Sequence, residues 1–428
     1  MVTVVISKAD ALNGEVFAPS SKSYTQRMVI AAALSGGQSK VFNPLFSEDT
    51  EATLRAVTAL GAEYKSQDGY WLITGTGQLN SAEKPIDCGE SGATLRFMIP
   101  IAALALGPST LLFHGSFKRR PVEPLIESLK QLGTAATTSE QADLGSIYVE
   151  GGGIVGGKTN IAGDISSQFI SGLLFACPMA KNDTEINITS PLESSVYVNM
   201  TESVLNKHKI SVNIDRNKII IPSKQKYSPV DDVVPGDFSS AAFLLAAAAI
   251  TKSNVTIHNL NTGSVQGDKA ILEILKKVGV DVIVGNDCVK ISGSVKNLSP
   301  IDINVKNIPD LVPVITVLAC YATGTSRIYG AGRLRLKESD RLQALYEEFR
   351  KMGANIEVTN DGLTVIGEKP LHGAIIDPHN DHRIAMACTV AALLAEGKTT
   401  IQNAECIRKS YPQFYTHLKQ LGAEIVGK

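Results

Sequence analysis

Lysine and arginine recur in this 428-residue chain at short polar turns, beside serine, aspartate and glycine. A cation at a helix N-terminus opposes the positive end of the helix dipole, so its presence there indicates that an anion binds nearby. Charge-assisted bonds from these side chains contribute about 1.5–3 kcal/mol each, against about 0.3–1 kcal/mol from the dipole. The side chains should therefore dominate affinity. The cations in or near predicted first turns are Lys22, Arg27, Arg96, Arg120, Lys337, Arg341, Arg383 and Lys409.

So many cations predict more than one anionic group, with phosphate and carboxylate together, because the planar fork of arginine binds either. Two carboxylates among them could do acid–base chemistry. Asp310 follows a proline at a predicted helix start, and Glu338 is flanked by Lys337 and close to Arg341. Each could instead be a helix cap or a solvated ion pair. Phosphate departure and proton transfer near many cations would favour the catalytic interpretation.

The sequence lacks the usual motifs for nucleotides and metals. No G-x-x-x-x-G-K-[ST] run occurs, and no G-x-G-x-x-G follows a predicted strand, so the glycine-rich run Gly151–Gly157 is predicted to be a loop. His379 and His382 stand alone among donor residues, so no metal is predicted. The six cysteines include no C-x-x-C pair and are predicted to be reduced thiols.

A repeated element must position these residues, because one pattern recurs about every 72 residues. The pattern is an amphipathic helix, a glycine with small or branched neighbours, and a strand. The glycine should cap the helix in a left-handed conformation. Lys209 stands at this place in a degenerate third copy, whose helix is expected to end differently. The glycines of the other copies are Gly61, Gly133, Gly279, Gly353 and Gly422, and strands are predicted at Trp71–Gly75, Ile147–Gly151, Cys288–Gly293 and Leu363–Gly367.

The other half of each copy contains an alanine-rich helix, which is expected to lie inside with the sheets wrapped around it. Repeats can also build an elongated binding scaffold, but solenoid units usually have about 20–50 residues and are stable only when stacked. A longer unit can form a globular layer, and 428 residues exceed what one core serves. Two domains of three units each are therefore expected. The inner helices are predicted at Met28–Leu34, Ile101–Leu106, Ala241–Ala249 and Ala385–Ala395.

Composition is that of a globular protein, with 44% hydrophobic residues, 19% charged residues and a net charge of -1. This balance argues against nucleic-acid binding through a global basic field, although a local basic cleft remains possible. The N-terminus does not look like a signal peptide, and the apolar run Ala241–Ile250 is too short to cross a bilayer. The protein is expected to be cytoplasmic, with no membrane association.

Taken in order, these motifs resemble those of the 5-enolpyruvylshikimate-3-phosphate synthase family over essentially the whole chain. The resemblance implies an α/β fold, a two-domain inside-out α/β barrel of six βαβαββ units. It assigns residues 18–231 to an N-terminal domain, and residues 1–17 with 232–428 to a C-terminal domain, joined by a double crossover. The motifs that carry it are Ser21–Ser23 with Arg27, Gly89–Arg96, Arg120-Pro121, Ser166–Gln168, Gly236–Ala241, Asp310, Leu334–Leu342, Asp381–Arg383 and Lys409.

The resemblance also implies the reaction: phosphoenolpyruvate and shikimate 3-phosphate give 5-enolpyruvylshikimate 3-phosphate and phosphate, without cofactor or metal, in a monomer. It makes Asp310 the base, and Glu338 with Lys22 the acid. The positions matching phosphoenolpyruvate ligands are Lys22, Gly92, Arg120, Gln168, Arg341, Arg383 and Lys409. Those matching shikimate 3-phosphate ligands are Lys22, Ser23, Arg27, Ser166, Ser167, Gln168, Ser194, Tyr197, Asp310 and Lys337.

Two positions depart from the family pattern. Glu90 and Arg333 stand where some members carry asparagine, so these two substrate contacts do not carry over. Gly92 is retained, and the resemblance therefore implies that glyphosate competes with phosphoenolpyruvate.

Two alternative functions compete with this family assignment. The sister enzyme that enolpyruvylates UDP-N-acetylglucosamine shares the six-unit plan but typically uses a loop cysteine as its acid, and the corresponding stretch Gly115–Pro124 has none. The run Ser166–Gln168 also favours the shikimate branch. A non-catalytic sensor of phosphorylated metabolites would keep the cations but could dispense with Asp310 and Glu338. Both carboxylates are present.

Overall fold

The computed structural model describes residues 2–141, 144–293, 297–367 and 369–427. The chain divides into two compact units. The first, called the N-terminal unit, is Ser20–Val234, and the second, called the C-terminal unit, combines Met1–Pro19 with Pro235–Lys428. Each unit has its own hydrophobic core.

Short strands make up the outer layer of each unit. In the N-terminal unit they are Gly36–Phe42, Glu63–Gln67, Tyr70–Thr76, Ile86–Asp87, Ser109–His114, Ala136–Gln141, Leu144–Val149, Gly157–Ile161, Thr184–Ile188, Asn213–Asp215, Lys218–Ile221 and Asp232–Val233. In the C-terminal unit they are Val4–Ser7, Asn13–Phe17, Asn254–His258, Asp281–Val284, Cys288–Ser292, Asp302–Asn304, Thr325–Tyr329, Asn355–Val358, Leu363–Ile366, Ile375–Ile376, Lys398–Ile401 and Ile425–Gly427.

The described residues form six four-stranded sheets, and all six have the same pairing pattern. One outer pair is parallel and the other two pairs are antiparallel. In one sheet, for example, Gly157–Ile161 runs parallel to Thr184–Ile188, with Gly157 opposite Thr184. Thr184–Ile188 then pairs antiparallel with Lys218–Ile221, which pairs antiparallel with Asn213–Asp215. The common pattern confirms the predicted six-fold repeat.

Three strands complete sheets whose other strands lie far away in sequence. Asp232–Val233 pairs with Gly36–Phe42 in the N-terminal unit. Asn13–Phe17 pairs with Asn254–His258 in the C-terminal unit. Val4–Ser7 lies between two strands near the C-terminus, with Val4 opposite both Ile401 and Gly427. The first strands of the chain therefore belong to the C-terminal unit.

Helices lie between successive strands. The α-helices of the N-terminal unit are Lys22–Leu34, Glu48–Ala59, Gly92–Ala102, Glu123–Gln131, Ser167–Ala176 and Ser195–Lys207. Those of the C-terminal unit are Phe238–Ile250, Ile271–Lys277, Val312–Cys320, Arg341–Lys351, His382–Ala392 and Phe414–Gln420. Short 3₁₀ helices are Gly115–Arg119, Cys177–Met179, Gly267–Ala270, Pro309–Leu311, Gly332–Leu336 and Ala404–Lys409.

The inner helices are apolar on every side. Phe238–Ile250, Val312–Cys320 and His382–Ala392 pack on one another, and every residue of Val312–Cys320 is buried. A helix that is hydrophobic all round must be buried, and alanine lets neighbouring backbones come close. By contrast, Arg341–Lys351 buries only one face. This arrangement confirms the predicted inside-out layering.

The repeated glycines end their helices in the predicted left-handed conformation, with φ between +86° and +104°. Lys209 has φ +65°, so the prediction that the third helix ends differently is wrong. The Lys209 amide donates to Asn206 and the Ile210 amide to Leu205, the same pair of bonds that Gly61 and Ala62 make to Thr58 and Val57. These bonds hold a side-chain-bearing residue in a conformation that costs it about 1–2 kcal/mol.

All four inner helices begin earlier than predicted, at Lys22, Gly92, Phe238 and His382, and the second differs most. The sequence predicted Ile101–Leu106, whereas the helix is Gly92–Ala102 and is followed by tight turns. The carbonyls of Ala103 and Ala105 accept from Gly153 and Gly152 at 2.8 and 2.7 Å, so they are not used for another helical turn. The strand predicted at Ile147–Gly151 is likewise displaced and spans Leu144–Val149.

All six cysteines are free, and five of them are buried. Among the described residues, no helix combines the length and the apolar character needed to cross a membrane.

Candidate active site

Six polar turns contain a residue that caps the helix that follows. The cap is a serine in the N-terminal unit and an aspartate in the C-terminal unit, and each side chain accepts from a backbone N–H of the first turn. The caps are Ser21, Ser91, Ser166, Asp237, Asp340 and Asp381. Capping therefore explains these residues structurally. It does not explain the neighbouring cations.

Arg27 is buried on the helix Lys22–Leu34. Its Nε donates to Thr201 Oγ1 at 2.8 Å, and its Nη1 and Nη2 donate to the carbonyls of Ser23 and Tyr197 at 3.0 and 3.1 Å. These acceptors carry no charge, and burial lowers the pKa of Arg27 to about 10, although neighbouring tyrosines raise it. The side chain remains charged at neutral pH, so its positive potential can act on a bound anion.

Other predicted residues of the N-terminal unit lie around Arg27. Lys22 is the first residue of the helix, and its Nζ lies 2.7 Å from Asp49 Oδ2. Ser194 is buried at the start of the helix Ser195–Lys207, with φ +55°. Tyr197 lies in the first turn of that helix. Arg27 donates hydrogen bonds to the backbone carbonyls of both Tyr197 and Ser23. The structure thus brings Ser23, Arg27 and Tyr197 together.

Gly92 lies against the guanidinium of Arg120. A Cβ atom added to Gly92 would lie 2.7 Å from both Nη atoms of Arg120. The Arg120 guanidinium carbon also lies 5.0 Å from the centroid of the buried Phe117 ring. The ring and the glycine together hold Arg120 in a tightly packed place.

A second arginine links the remaining predicted residues of this unit. Arg96 Nη1 donates to Gln168 Oε1 at 2.8 Å, and Nη2 donates to the Pro121 carbonyl at 2.9 Å. Gln168 follows Ser166 and Ser167 at the start of the helix Ser167–Ala176. Through Arg96, the Ser166–Gln168 turn is therefore connected to the backbone next to Arg120.

In the C-terminal unit, the completely buried Arg341 binds three carboxylates. Its Nε donates to Asp381 Oδ2 at 2.7 Å, its Nη1 to Asp310 Oδ1 at 2.8 Å and its Nη2 to Glu338 Oε2 at 2.6 Å. Burial lowers the pKa of Arg341, but Asp381, Glu338 and Asp310 outweigh it and raise that pKa well above its ordinary value. Arg341 therefore stays charged and fixes both predicted catalytic carboxylates.

Asp310 lies among three cations. Besides the bond from Arg341, one of its oxygens is 3.6 Å from Lys337 Nζ and the other is 3.5 Å from Arg383 Nη2. Burial raises the pKa of Asp310, but Arg383, Lys337 and Arg341 together hold it well below its ordinary value. The side chain is 16% exposed, so a ligand can reach this ionised carboxylate.

Five of the predicted cations lie outside a first helical turn: Arg27 and Arg96 are in second turns, and the other three end or follow a 3₁₀ helix. Arg120 follows the 3₁₀ helix Gly115–Arg119, Lys337 follows Gly332–Leu336, and Lys409 ends Ala404–Lys409. The α-helices begin three to five residues later, because a tight turn comes first. Lys409 Nζ donates to the Asn380 carbonyl at 2.8 Å, which brings it beside the start of His382–Ala392, where Arg383 lies.

Asp268 is a residue that the sequence did not single out. It is buried in the 3₁₀ helix Gly267–Ala270, where Ser239 Oγ donates to its Oδ2. Burial and the charges of Asp310 and Asp237 raise its pKa to about 7, although Arg383 and the bond from Ser239 lower it. The sequence signal for Asp268 is a Gly-Asp dipeptide before a helix, and such dipeptides are common in loops.

His379 does not stand alone among donor residues, contrary to the prediction. Its Nε2 lies 3.0 Å from Glu348 Oε1 and 3.7 Å from Glu347 Oε2. Lys351 Nζ lies 2.7 and 2.8 Å from the two oxygens of Glu348, so that carboxylate is already paired with a cation. Sequence spacing missed the cluster because 31 residues separate His379 from Glu348.

The two residues that depart from the family pattern each form a hydrogen bond with a backbone group of the same unit. Glu90 Oε1 accepts from the Ser116 amide at 3.4 Å, and Arg333 Nη2 donates to the Lys306 carbonyl at 2.9 Å.

The fold and these residues define an α/β protein whose buried arginines and carboxylates suit small polyanionic ligands. Comparison with known sequences and structures specifies its family. The profile of EPSP synthase (3-phosphoshikimate 1-carboxyvinyltransferase) matches residues 6–418, and the chain belongs to this family. It is therefore a transferase.

Relatives support the same assignment over the full length. The 3-phosphoshikimate 1-carboxyvinyltransferase of Methanocaldococcus jannaschii is 44% identical over 428 residues and covers 99% of both chains. That of Methanosarcina acetivorans is 43% identical, with 99% of this chain and 98% of the relative covered. The EPSP synthase of Acinetobacter baumannii, solved at 2.37 Å, has a TM-score of 0.83 at 27% identity, with 100% of both chains covered.

Proposed function

We propose that this chain transfers the enolpyruvyl group of phosphoenolpyruvate to the 5-hydroxyl of shikimate 3-phosphate and releases phosphate. The observation that carries the proposal is the ionised Asp310 carboxylate, bound to Arg341 at 2.8 Å and lying within 3.6 Å of Lys337 and Arg383. Such a group can take a proton from a hydroxyl where anionic substrates bind. The family's name specifies a carboxyvinyl group and 3-phosphoshikimate.

Phosphoenolpyruvate carries a phosphate and a carboxylate, and both suit arginine and lysine. Arg120 and Gln168, from the N-terminal unit, and Arg341, Arg383 and Lys409, from the C-terminal unit, are proposed to bind these groups, together with Lys22. Gly92 leaves the space that the Arg120 guanidinium occupies.

Shikimate 3-phosphate requires one phosphate site and several hydroxyl partners. Ser166, Ser167 and Ser194 are hydroxyl residues at helix starts, where backbone N–H groups also favour phosphate. The proposed ligands are Lys22, Ser23, Arg27, Ser166, Ser167, Gln168, Ser194, Tyr197, Asp310 and Lys337. Arg27 supports this assignment because its described acceptors are uncharged.

In the first step, Asp310 takes the proton of the 5-hydroxyl while the oxygen forms a bond to C2 of phosphoenolpyruvate. Glu338, with Lys22, delivers a proton to the methylene carbon, which gives a tetrahedral intermediate. Asp310 is a weak base in the free protein because Arg383, Lys337 and Arg341 lower its pKa. Bound phosphate and carboxylate groups neutralise these cations, so substrate binding raises that pKa and makes Asp310 a stronger base.

In the second step, the bond between C2 and the phosphate oxygen breaks. The methyl carbon returns a proton to Glu338, and the enol ether double bond forms. The departing phosphate carries its negative charge away among the cations that bound it, which stabilises the transition state. The hydroxyl proton leaves Asp310 with phosphate or solvent. No cofactor takes part in either step.

We also propose that the chain works as a monomer in the cytoplasm, without nucleic-acid or membrane partners. Its near-zero net charge supports the absence of a polyanionic partner. Analytical ultracentrifugation tests the first point, and a sedimenting dimer at micromolar concentration would contradict it.

Phosphate release from phosphoenolpyruvate tests the proposed reaction, with shikimate 3-phosphate or UDP-N-acetylglucosamine as acceptor. Release with shikimate 3-phosphate alone, accompanied by the enol ether product in the NMR spectrum, is the expected result. Release only with the UDP sugar would assign the chain to the sister reaction. Tight binding of both substrates without any release would indicate a metabolite sensor.

A further inference from the structure

Arg96 lies at the centre of a packed group of residues in the N-terminal unit. Its guanidinium carbon is 5.1 Å from the centroid of the Phe117 ring and 5.2 Å from that of Phe169. Both rings are buried, and Arg96 itself is 4% exposed. A guanidinium in contact with two aromatic rings gains cation–π attraction and loses most of its freedom to move.

The hydrogen bond from Arg96 determines which way the Gln168 amide faces. Arginine has N–H donors and no acceptor, so the atom that Arg96 contacts at 2.8 Å must be the amide oxygen. The amide nitrogen of Gln168, with its two donors, is therefore turned away from Arg96. A rotated amide would bring two donor groups together. Arg96 thus makes Gln168 a hydrogen-bond donor toward any ligand, which is what an anion requires.

The other nitrogen of Arg96 acts on the backbone beside Arg120. Nη2 donates at 2.9 Å to the carbonyl of Pro121, the residue that follows Arg120. Phe117 lies about equally far from both guanidinium carbons, 5.1 Å from that of Arg96 and 5.0 Å from that of Arg120. One buried ring and one backbone bond therefore connect the two arginines.

We propose that Arg96 is a positioning residue that orients the Gln168 amide and the Arg120 guanidinium toward phosphoenolpyruvate without itself touching the substrate. This inference rests on the proposed function, because it presumes that Gln168 and Arg120 bind that substrate. From the sequence, Arg96 is one of several cations and part of the motif Gly89–Arg96, with no separate role.

The test compares Arg96→Met and Arg96→Lys with the unmodified protein in steady-state kinetics. Arg96→Met should raise the KM for phosphoenolpyruvate about 10- to 100-fold, the range expected when charge-assisted bonds that orient two ligands are lost. The kcat at saturation should change less than about threefold, and the KM for shikimate 3-phosphate should rise less than that for phosphoenolpyruvate, because Arg120 is assigned to phosphoenolpyruvate alone. Arg96→Lys keeps the charge but cannot reach both acceptors, so it should recover only part of the loss.

Two controls separate positioning from general damage. Arg350→Met removes another arginine above an aromatic ring, Tyr346 at 5.5 Å, on the C-terminal unit away from the proposed site, and should leave all constants unchanged. In the double variant Arg96→Met with Gln168→Leu, the KM for phosphoenolpyruvate should rise less than the product of the single effects. Residues that act through each other are non-additive.

A variant of Gln168 tests the same role if Arg96→Met fails to fold. It keeps the oxygen that accepts from Arg96 but removes the amide N–H donors. Gln168→Glu still accepts from Arg96 but presents an anionic oxygen in place of the amide nitrogen. It should melt at or above the temperature of the unmodified protein, while the KM for phosphoenolpyruvate rises more than about 100-fold. An unchanged KM in Gln168→Glu, or equal losses for both substrates in Arg96→Lys, would overturn the positioning role. If the unmodified protein releases no phosphate, the proposed function fails first, before any Arg96 result.

Discussion

In the N-terminal unit Arg27 donates to a hydroxyl and two carbonyl oxygens, whereas in the C-terminal unit Arg341 donates to three carboxylates. The pKa of the first is lowered to about 10, mainly by burial, and that of the second is raised by its acidic partners. Lys22 is an exception in the N-terminal unit, because Asp49 pairs with it at 2.7 Å. The same residue type therefore serves two purposes in two copies of one fold.

The difference indicates a division of work. A buried cation whose acceptors are uncharged keeps its positive potential for a ligand. Because neutral oxygens replace water only in part, the pKa of that cation is lowered. A buried cation with carboxylate partners directs its potential to those partners, and Arg341 helps to lower the pKa of Asp310. Under the proposed function, the N-terminal unit accordingly supplies binding residues and Lys22, and the C-terminal unit supplies binding cations and the two carboxylates for proton transfer.

Replacing the proposed base should have the largest effect. Asp310→Asn should lower kcat about 10²- to 10⁴-fold, because general base catalysis contributes that much. The Kd of shikimate 3-phosphate, measured by calorimetry, should change only a few-fold. Asp302→Asn, an exposed aspartate on the same unit, is the control and should keep full activity. A near-normal kcat in Asp310→Asn would remove its base role.

Removing one carboxylate from Arg341 should strongly destabilise the C-terminal unit. Asp381→Ala leaves a completely buried guanidinium without its 2.7 Å partner and also removes a helix cap, so the free energy of unfolding should fall by about 3–5 kcal/mol. Urea unfolding measures this change.

The corresponding substitution in the N-terminal unit should lower the free energy of unfolding by a smaller amount. Thr201→Val removes the uncharged acceptor of Arg27 Nε and should lower the free energy of unfolding by about 1–3 kcal/mol. If Thr201→Val proves more damaging than Asp381→Ala, the contrast between the two units is wrong.

A methyl group at Gly92 should disturb one substrate only. In Gly92→Ala the new Cβ would lie 2.7 Å from the Arg120 Nη atoms, so the guanidinium must move away from the glycine. The KM for phosphoenolpyruvate should rise about tenfold, in line with the 1–3 kcal/mol typical of overpacking, and glyphosate should compete less well. The KM for shikimate 3-phosphate serves as the internal control, and a rise of equal size there would contradict the assignment.

A further prediction concerns the pH dependence of stability. The pKa of Asp268 is about 7 in the folded protein and about 3.8 ordinarily, so the unfolded chain loses this proton first. The stability of the unmodified protein should therefore fall as pH rises from about 4 to 7. Asp268→Asn cannot ionise, and its urea midpoint should exceed that of the unmodified protein by an amount that grows over this range. A difference independent of pH would contradict the raised pKa.

Much of the fold could be predicted because short-range sequence patterns define the repeat. Glycines after helices, capping serines and aspartates, and apolar helices each act within a few residues. Lys209 shows the limit, since its left-handed conformation comes from bonds that the whole turn makes rather than from the residue type. The early end of the helix Gly92–Ala102 depends on Gly152 and Gly153, about 50 residues later, and no local pattern contains that information.

The candidate site was predicted less completely, for the same reason. The sequence predicts that Asp310, Glu338 and Arg341 belong to one site. It cannot show that the single guanidinium of Arg341 binds both carboxylates. It also could not show that Asp381, read as part of a motif, anchors the guanidinium itself. Asp268 carries no motif and becomes notable only through burial near Asp310 and Arg383. Long-range pairing decides these roles.

Deuterium incorporation tests the division of work most directly. In D₂O, the enol ether product should carry deuterium in its methylene group, because Glu338 protonates that carbon and one hydrogen later leaves. Glu338→Gln should abolish incorporation together with turnover. Arg27→Met, examined at shikimate 3-phosphate concentrations that restore binding, should give product with the same deuterium content as the unmodified protein. Product without deuterium, or normal incorporation in Glu338→Gln, would contradict the assignment of proton transfer to the carboxylates of the C-terminal unit.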